Sequence, residues 1–111
     1  NEIYLGATLE WTFTDKFVPM IEGRSSMGRL GLFIHITAGF GDIGFNGHWT
    51  LELTSVKPVK VYRDMEIAQI YYHKPDGEID RLYKSRKYQN NYGVQPSLSY
   101  LDFLNEGHDD E

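Results

Sequence analysis

A mainly β fold is predicted by three features of the sequence. Its apolar segments are short and rich in aromatic and β-branched residues, turn-forming residues separate them, and neither a long 3.6-residue apolar period nor βαβ spacing occurs. The expected strands are Ala7–Phe13, Phe17–Glu22, Leu30–Thr37, Trp49–Leu53, Val59–Tyr62 and Ile67–His73.

Between the third and fourth of these, Asn46-Gly47 reads as a tight turn, because both residues tolerate positive φ. It delivers His48–Leu53 as the strand that follows. Strand alternation sends Trp49, Leu51 and Leu53 to one face and Thr50, Glu52 and Thr54 to the other, so Glu52 is expected among polar or ligand-facing groups. Arg63-Asp64-Met65 is expected to turn the chain into the last strand. Residues 74–93 carry no continuous apolar face and read as loops, and Leu98–Leu104 as a final helical turn or docking segment before an acidic end. The expected organisation is one domain over 1–111, with 94–111 as a C-terminal tail.

A chain of 111 residues buries a modest core, which association with other copies would enlarge. It has no cysteine, which excludes disulfides, thiolate nucleophiles and cysteine-bearing zinc sites. The net charge of −5 comes from the end of the chain: Asp102, Glu106, Asp109, Asp110 and Glu111 follow a segment whose acids and bases balance. A balanced body lacks the basic face of a nucleic-acid binder but leaves room for a local anion pocket. No apolar run is long enough to span a bilayer and no signal-peptide pattern opens the chain, so a cytoplasmic, membrane-free protein is the expectation.

Three stretches carry candidate chemistry. Gly23-Arg24-Ser25-Ser26 followed by Gly28-Arg29 offers guanidiniums and hydroxyls that suit phosphate oxygens, although a capped turn with surface arginines reads equally well. The glycine-rich segment from Thr37 to Gly47 lets the backbone approach a flat ligand, with Phe45 placed to pack on a sugar or base; as a plain β connection, its Asp42 would only tie its own turn. Glu52 is either a structural acid or, in a desolvated setting, a proton-exchanging group. His35, His48, His73 and His108 form no zinc pattern, and His35 is expected to be structural.

The ordered set Gly23-Arg24-Ser25-Ser26-Met27-Gly28-Arg29-Leu30-Gly31-Leu32, His35-Ile36-Thr37-Ala38, Asp42, Gly44-Phe45, Gly47 and Thr50-Leu51-Glu52, preceded by Leu5-Gly6-Ala7-Thr8-Leu9-Glu10, resembles the signature of dCTP deaminases within the dCTP deaminase and trimeric dUTPase superfamily. The resemblance covers nearly all of the chain before Tyr72. It implies a distorted jelly-roll-like fold lacking the usual N-terminal portion, and hydrolysis of dCTP to dUTP and ammonia without zinc. A dUTP pyrophosphatase activity, alone or coupled to deamination, and a non-catalytic nucleotide-binding or assembly role are the alternatives.

On that resemblance Glu52 is the general base, with Arg29 and the turn at Ala38 holding water and cytosine. Arg24, Ser25 and Ser26 contact phosphates, and Asp42 and Phe45 frame the deoxyribose. Tyr83, Lys87 and Asn91 match a triphosphate-closing segment. Mg²⁺ would be bound mainly through the triphosphate, whose oxygens suit this hard ion. A homotrimer with sites shared between subunits is the implied assembly. Gly41 departs from the pattern, standing where the family usually has an aliphatic residue.

Overall fold

The computed structural model describes residues 2–35, 39–83 and 88–104. Among them, the elements in chain order are β1 (Tyr4–Phe13), β2 (Val18–Gly23), α1 (Ser25–Arg29), β3 (Leu32–Ile34), β4 (Asn46–Ser55), β5 (Ala68–His73) and α2 (Tyr100–Leu104). All strand pairings are antiparallel, in a three-stranded sheet of order β1-β4-β3 and a two-stranded sheet of β2 and β5. The mainly β architecture is as expected.

β4 is the central element because both of its edges find partners. On one side it pairs with β1 from Tyr4↔Leu53 to Phe13↔Asn46, interrupted by a bulge between Ala7 and Trp11. Thr8 fills the interruption: its hydroxyl accepts the Trp49 amide at 3.0 Å and its carbonyl accepts His48 Nδ1–H at 2.8 Å, so the displaced ladder groups stay satisfied. On the other side β3 covers only Leu53–Ser55. Segment 39–41 runs beside β2, with Ile21 N donating to Gly39 O at 2.6 Å and Gly41 N to Pro19 O at 2.7 Å.

The core gathers Ile21, Met27, Leu32, Ile34, Trp49 and Leu51. Burying side chains of this size contributes about 1.5–3 kcal/mol each. The alternation expected of β4 is present, since Trp49 and Leu51 are buried while Thr50 and Glu52 are half-buried. Large apolar groups remain exposed nearby, among them Leu5, Leu9, Trp11 and Phe13 along β1.

Four local expectations are corrected. Val59–Tyr62 forms no strand; it follows Pro58 and pairs with no ladder, although Val59 packs against the core. The phosphate-type turn is a single helical turn, α1, with Arg24 as its N-cap, and the strand expected from Leu30 begins only at Leu32, after Gly31 at φ 92°. Its expected far end, Ile36 and Thr37, lies outside the described residues. Asn46-Gly47 does not turn the chain but opens β4 opposite Phe13 and Thr12; the turn lies earlier, where Phe45 N donates to Asp42 O at 3.2 Å and Gly44 takes φ 100°.

Candidate active site

The Glu52 face of β4 forms the floor of a cleft of about 480 Å³. Asp42 and Phe45 reach it from the turn before β4, Thr50 and Glu52 from β4 itself, and Tyr83 and Asn91 from the segments that follow β5. Phe45 is wedged edge-on between Trp49 (6.1 Å between ring centres) and Tyr83 (5.8 Å), which fixes one aromatic wall. Of the residues singled out from the sequence, Glu52, Asp42, Phe45, Tyr83 and Asn91 are therefore brought together.

Arg24 is not. It lines a separate cavity of about 720 Å³ together with Leu51 and Leu53, the residues that alternate with Glu52 to the opposite face of β4. There its guanidinium donates to the Glu66 carbonyl at 3.1 Å and lies 3.8 Å from the exposed Glu66 carboxylate. Ser25, Ser26 and Arg29 sit exposed on α1, lining neither cavity. The sheet thus stands between the phosphate turn and the carboxylate of one chain. Ala38 and Lys87 lie outside the described residues.

Composition and periodicity do not mark the cleft's outer wall; only the family resemblance, through Tyr83 and Asn91, points to it. Residues 88–95 run along the part of β4 that β3 leaves open. Asn90 N donates to Asn46 O at 2.7 Å, His48 N to Asn91 O at 2.8 Å and Gln95 N to Thr50 Oγ1 at 3.0 Å. Gln89 adds a side-chain clamp, accepting from Asn46 N and donating to Gly44 O. The Asn91 amide donates to His48 O at 3.2 Å and Gly93 O at 2.8 Å, so both of its hydrogens fasten this segment. Individual backbone bonds between distant segments have no local sequence signal, which is why a polar stretch reading as loop hides a wall of the site.

Gly41 explains its own departure. A methyl group there would lie 2.5 Å from the Trp49 ring and 3.1 Å from Pro19, so the large Trp49 occupies the space an aliphatic side chain would need. Gly41→Ala is expected to lower unfolding stability by about 1–3 kcal/mol through overpacking. Adding Trp49→Leu should recover part of that loss relative to Trp49→Leu alone. Urea titration of the four proteins measures the coupling, and strictly additive losses would contradict it.

His35, expected to be structural, stands directly behind Glu52. Its side chain is 8% exposed and its Nδ1 lies 3.8 Å from Glu52 Oε1. Burial pushes the imidazole below its ordinary value, opposed by a smaller upward pull from the Glu52 carboxylate, so the ring is neutral near pH 7. Among the described residues no group of three or more His, Cys, Asp or Glu side chains is arranged to hold a metal, and no helix is long and apolar enough to cross a membrane.

Two antiparallel sheets frame a concave, carboxylate-bearing and aromatic-walled cleft, which defines a mainly β protein with a candidate ligand site. This chain belongs to the dCTP deaminase-like family, whose model matches residues 1–74. It is similar to proteins named "dCTP deaminase, dUMP-forming". The one from Clostridium botulinum (strain Eklund 17B) is 68% identical over 103 residues, 93% of this chain and 59% of the relative. The one from Clostridium acetobutylicum is 62% identical over 105 residues, 95% of this chain and 60% of the relative. A third, from Cytophaga hutchinsonii, is 59% identical over 103 residues, again 93% and 59%. The chain spans about three fifths of the length of these relatives.

Their names correct the expected product. Hydrolysis of dCTP to dUTP and ammonia leaves all three phosphates in place, whereas a dUMP-forming enzyme also removes two of them. The coupled alternative fits these relatives, and dUTP as the end product does not.

Proposed function

We propose that the protein converts dCTP to dUMP by two hydrolyses, releasing ammonia and pyrophosphate for two waters consumed. Glu52 takes a proton from the water that attacks C4 of cytosine and returns protons as the amine leaves. Arg29 orients that water. Asp42 and Phe45 hold the deoxyribose; Arg24, Ser25 and Ser26 hold phosphates, with Tyr83, Lys87 and Asn91 closing over them. Mg²⁺ would be held mainly by the triphosphate oxygens, which suit this hard cation without a dedicated protein cage, and would neutralise part of their charge.

The observation that carries the reading is the separation of Arg24 from Glu52 by the β-sheet of one chain. In this reading a nucleotide touching both lies between two chains, its phosphates on one and its base on the other, which the placement of Arg24 and Glu52 at separate cavities supports. The exposed apolar residues along β1 supply surface that such an assembly would cover. A homotrimer closes this head-to-tail arrangement with three equivalent sites.

Incubating the full-length protein with dCTP and Mg²⁺, then quantifying ammonia, pyrophosphate, dUTP and dUMP, tests the proposal. Ammonia and pyrophosphate should appear in equal amounts, with dUMP as the accumulating nucleotide. Stoichiometric build-up of dUTP, or pyrophosphate without ammonia, would overturn it.

A further inference from the structure

His35 follows β3 directly at φ 60°, a left-handed backbone conformation uncommon for a non-glycine residue and characteristic of sites where local strain is tolerated. Its amide donates to the Glu52 carbonyl at 2.8 Å, which ties the two residues together just beyond the β3–β4 ladder. Above that tie the imidazole is enclosed, with Trp49 tilted against it at 6.3 Å between ring centres. Among the described residues neither ring nitrogen has a hydrogen-bond partner. Buried polar atoms of this kind are costly and rare, and one that persists needs a reason. The Glu52 carboxylate is close by, its Oε1 3.8 Å from Nδ1.

We propose that His35 is a positioning residue for Glu52, its neutral ring donating Nδ1–H to Glu52 Oε1 and leaving the carboxylate's other oxygen aimed into the cleft. A side-chain movement of about 1 Å brings the pair to ordinary hydrogen-bond distance. The inference deepens the proposed reaction and rests on Glu52 as its base. A buried donor beside the carboxylate favours one of its orientations. Burial keeps the imidazole neutral, so it orients Glu52 as a hydrogen-bond donor and does not compete with it for the reacting proton.

Two substitutions separate this role from simple packing. Both asparagine and glycine accept left-handed backbone, but only asparagine places an N–H near the position of Nδ1. With the full-length protein, His35→Gly should lower kcat for ammonia release by about 10–100-fold with KM for dCTP little changed, the effect of misplacing a catalytic group by about 1 Å. His35→Asn should restore most of that loss. In ¹⁵N-imidazole NMR of the nucleotide-free protein, His35 should be the Nδ1–H tautomer, and Glu52→Ala should abolish that preference. Equal kcat in the glycine and asparagine variants, or a tautomer indifferent to Glu52→Ala, would overturn the positioning role. If the tautomer responds to Glu52→Ala but the unmodified protein releases no ammonia, the pairing stands and the proposed reaction fails.

Discussion

Glu52→Gln is expected to slow ammonia release from dCTP by about 10²–10⁴-fold, the usual contribution of a positioned general base. Glutamine nearly preserves the volume and the cleft, and it can still accept a hydrogen bond through its carbonyl oxygen, but it cannot take a proton from water. Binding of dCTP should therefore change only a few-fold. The side chain lies on the half-buried face of β4 with no core packing role, so the variant should unfold at close to the original denaturant concentration. Parallel calorimetry and ammonia assays give the answer. A variant that binds and releases ammonia as before would remove Glu52 from the chemistry; one that loses binding and reaction together would make it a ligand contact.

The second large effect follows from the proposed division of a site between chains. Arg24→Ala removes a guanidinium able to make charge-assisted bonds to phosphate, and alone it should leave little activity at substrate concentrations that saturate the unmodified protein. Glu52→Gln alone should do the same for a different reason. Unfolding the two variants together and refolding them as mixed trimers should restore activity, because some sites then combine an intact Arg24 from one chain with an intact Glu52 from another. With equal, random mixing in a cyclic trimer, about a quarter of the sites are whole. Variants refolded separately and then combined should stay inactive until subunits exchange. Mixed trimers with no activity would place Arg24 and Glu52 of a working site on the same chain, against the separation imposed by β4.

What could be read in advance followed from how far each signal reaches along the chain. The period-2 pattern Trp49, Leu51 against Thr50, Glu52 is local, and it correctly put the acid on the side away from the core. α1 was legible only as a turn, because five residues containing Gly28 cannot display a helical period. Val59–Tyr62 has strand composition, yet pairing depends on a partner that Pro58 and the following turn do not bring alongside. The wall built from residues 88–95 depends on bonds to β4 some 45 positions away; apart from Asn91, which the family resemblance marked, its residues look like any polar loop. His35 was opaque for the opposite reason: a single histidine carries no pattern, and only its enclosure behind Glu52 distinguishes it.

The irregularity in β1 bears on which insertions and deletions this fold accommodates. From Ala7 to Trp11 β1 advances four residues while β4, from Thr50 to His48, advances two. The surplus is even, so Leu5 and Ala7 before it and Trp11 and Phe13 after it pair with residues of the same parity, from Glu52 and Thr50 to His48 and Asn46. Adding or losing a single residue within this stretch would invert every side chain on one flank of β1, as a frameshift garbles all that follows it, whereas changes by two preserve phase. Length variation in this part of the strand should accordingly occur in pairs, with Thr8 or an equivalent hydroxyl retained to receive the Trp49 amide.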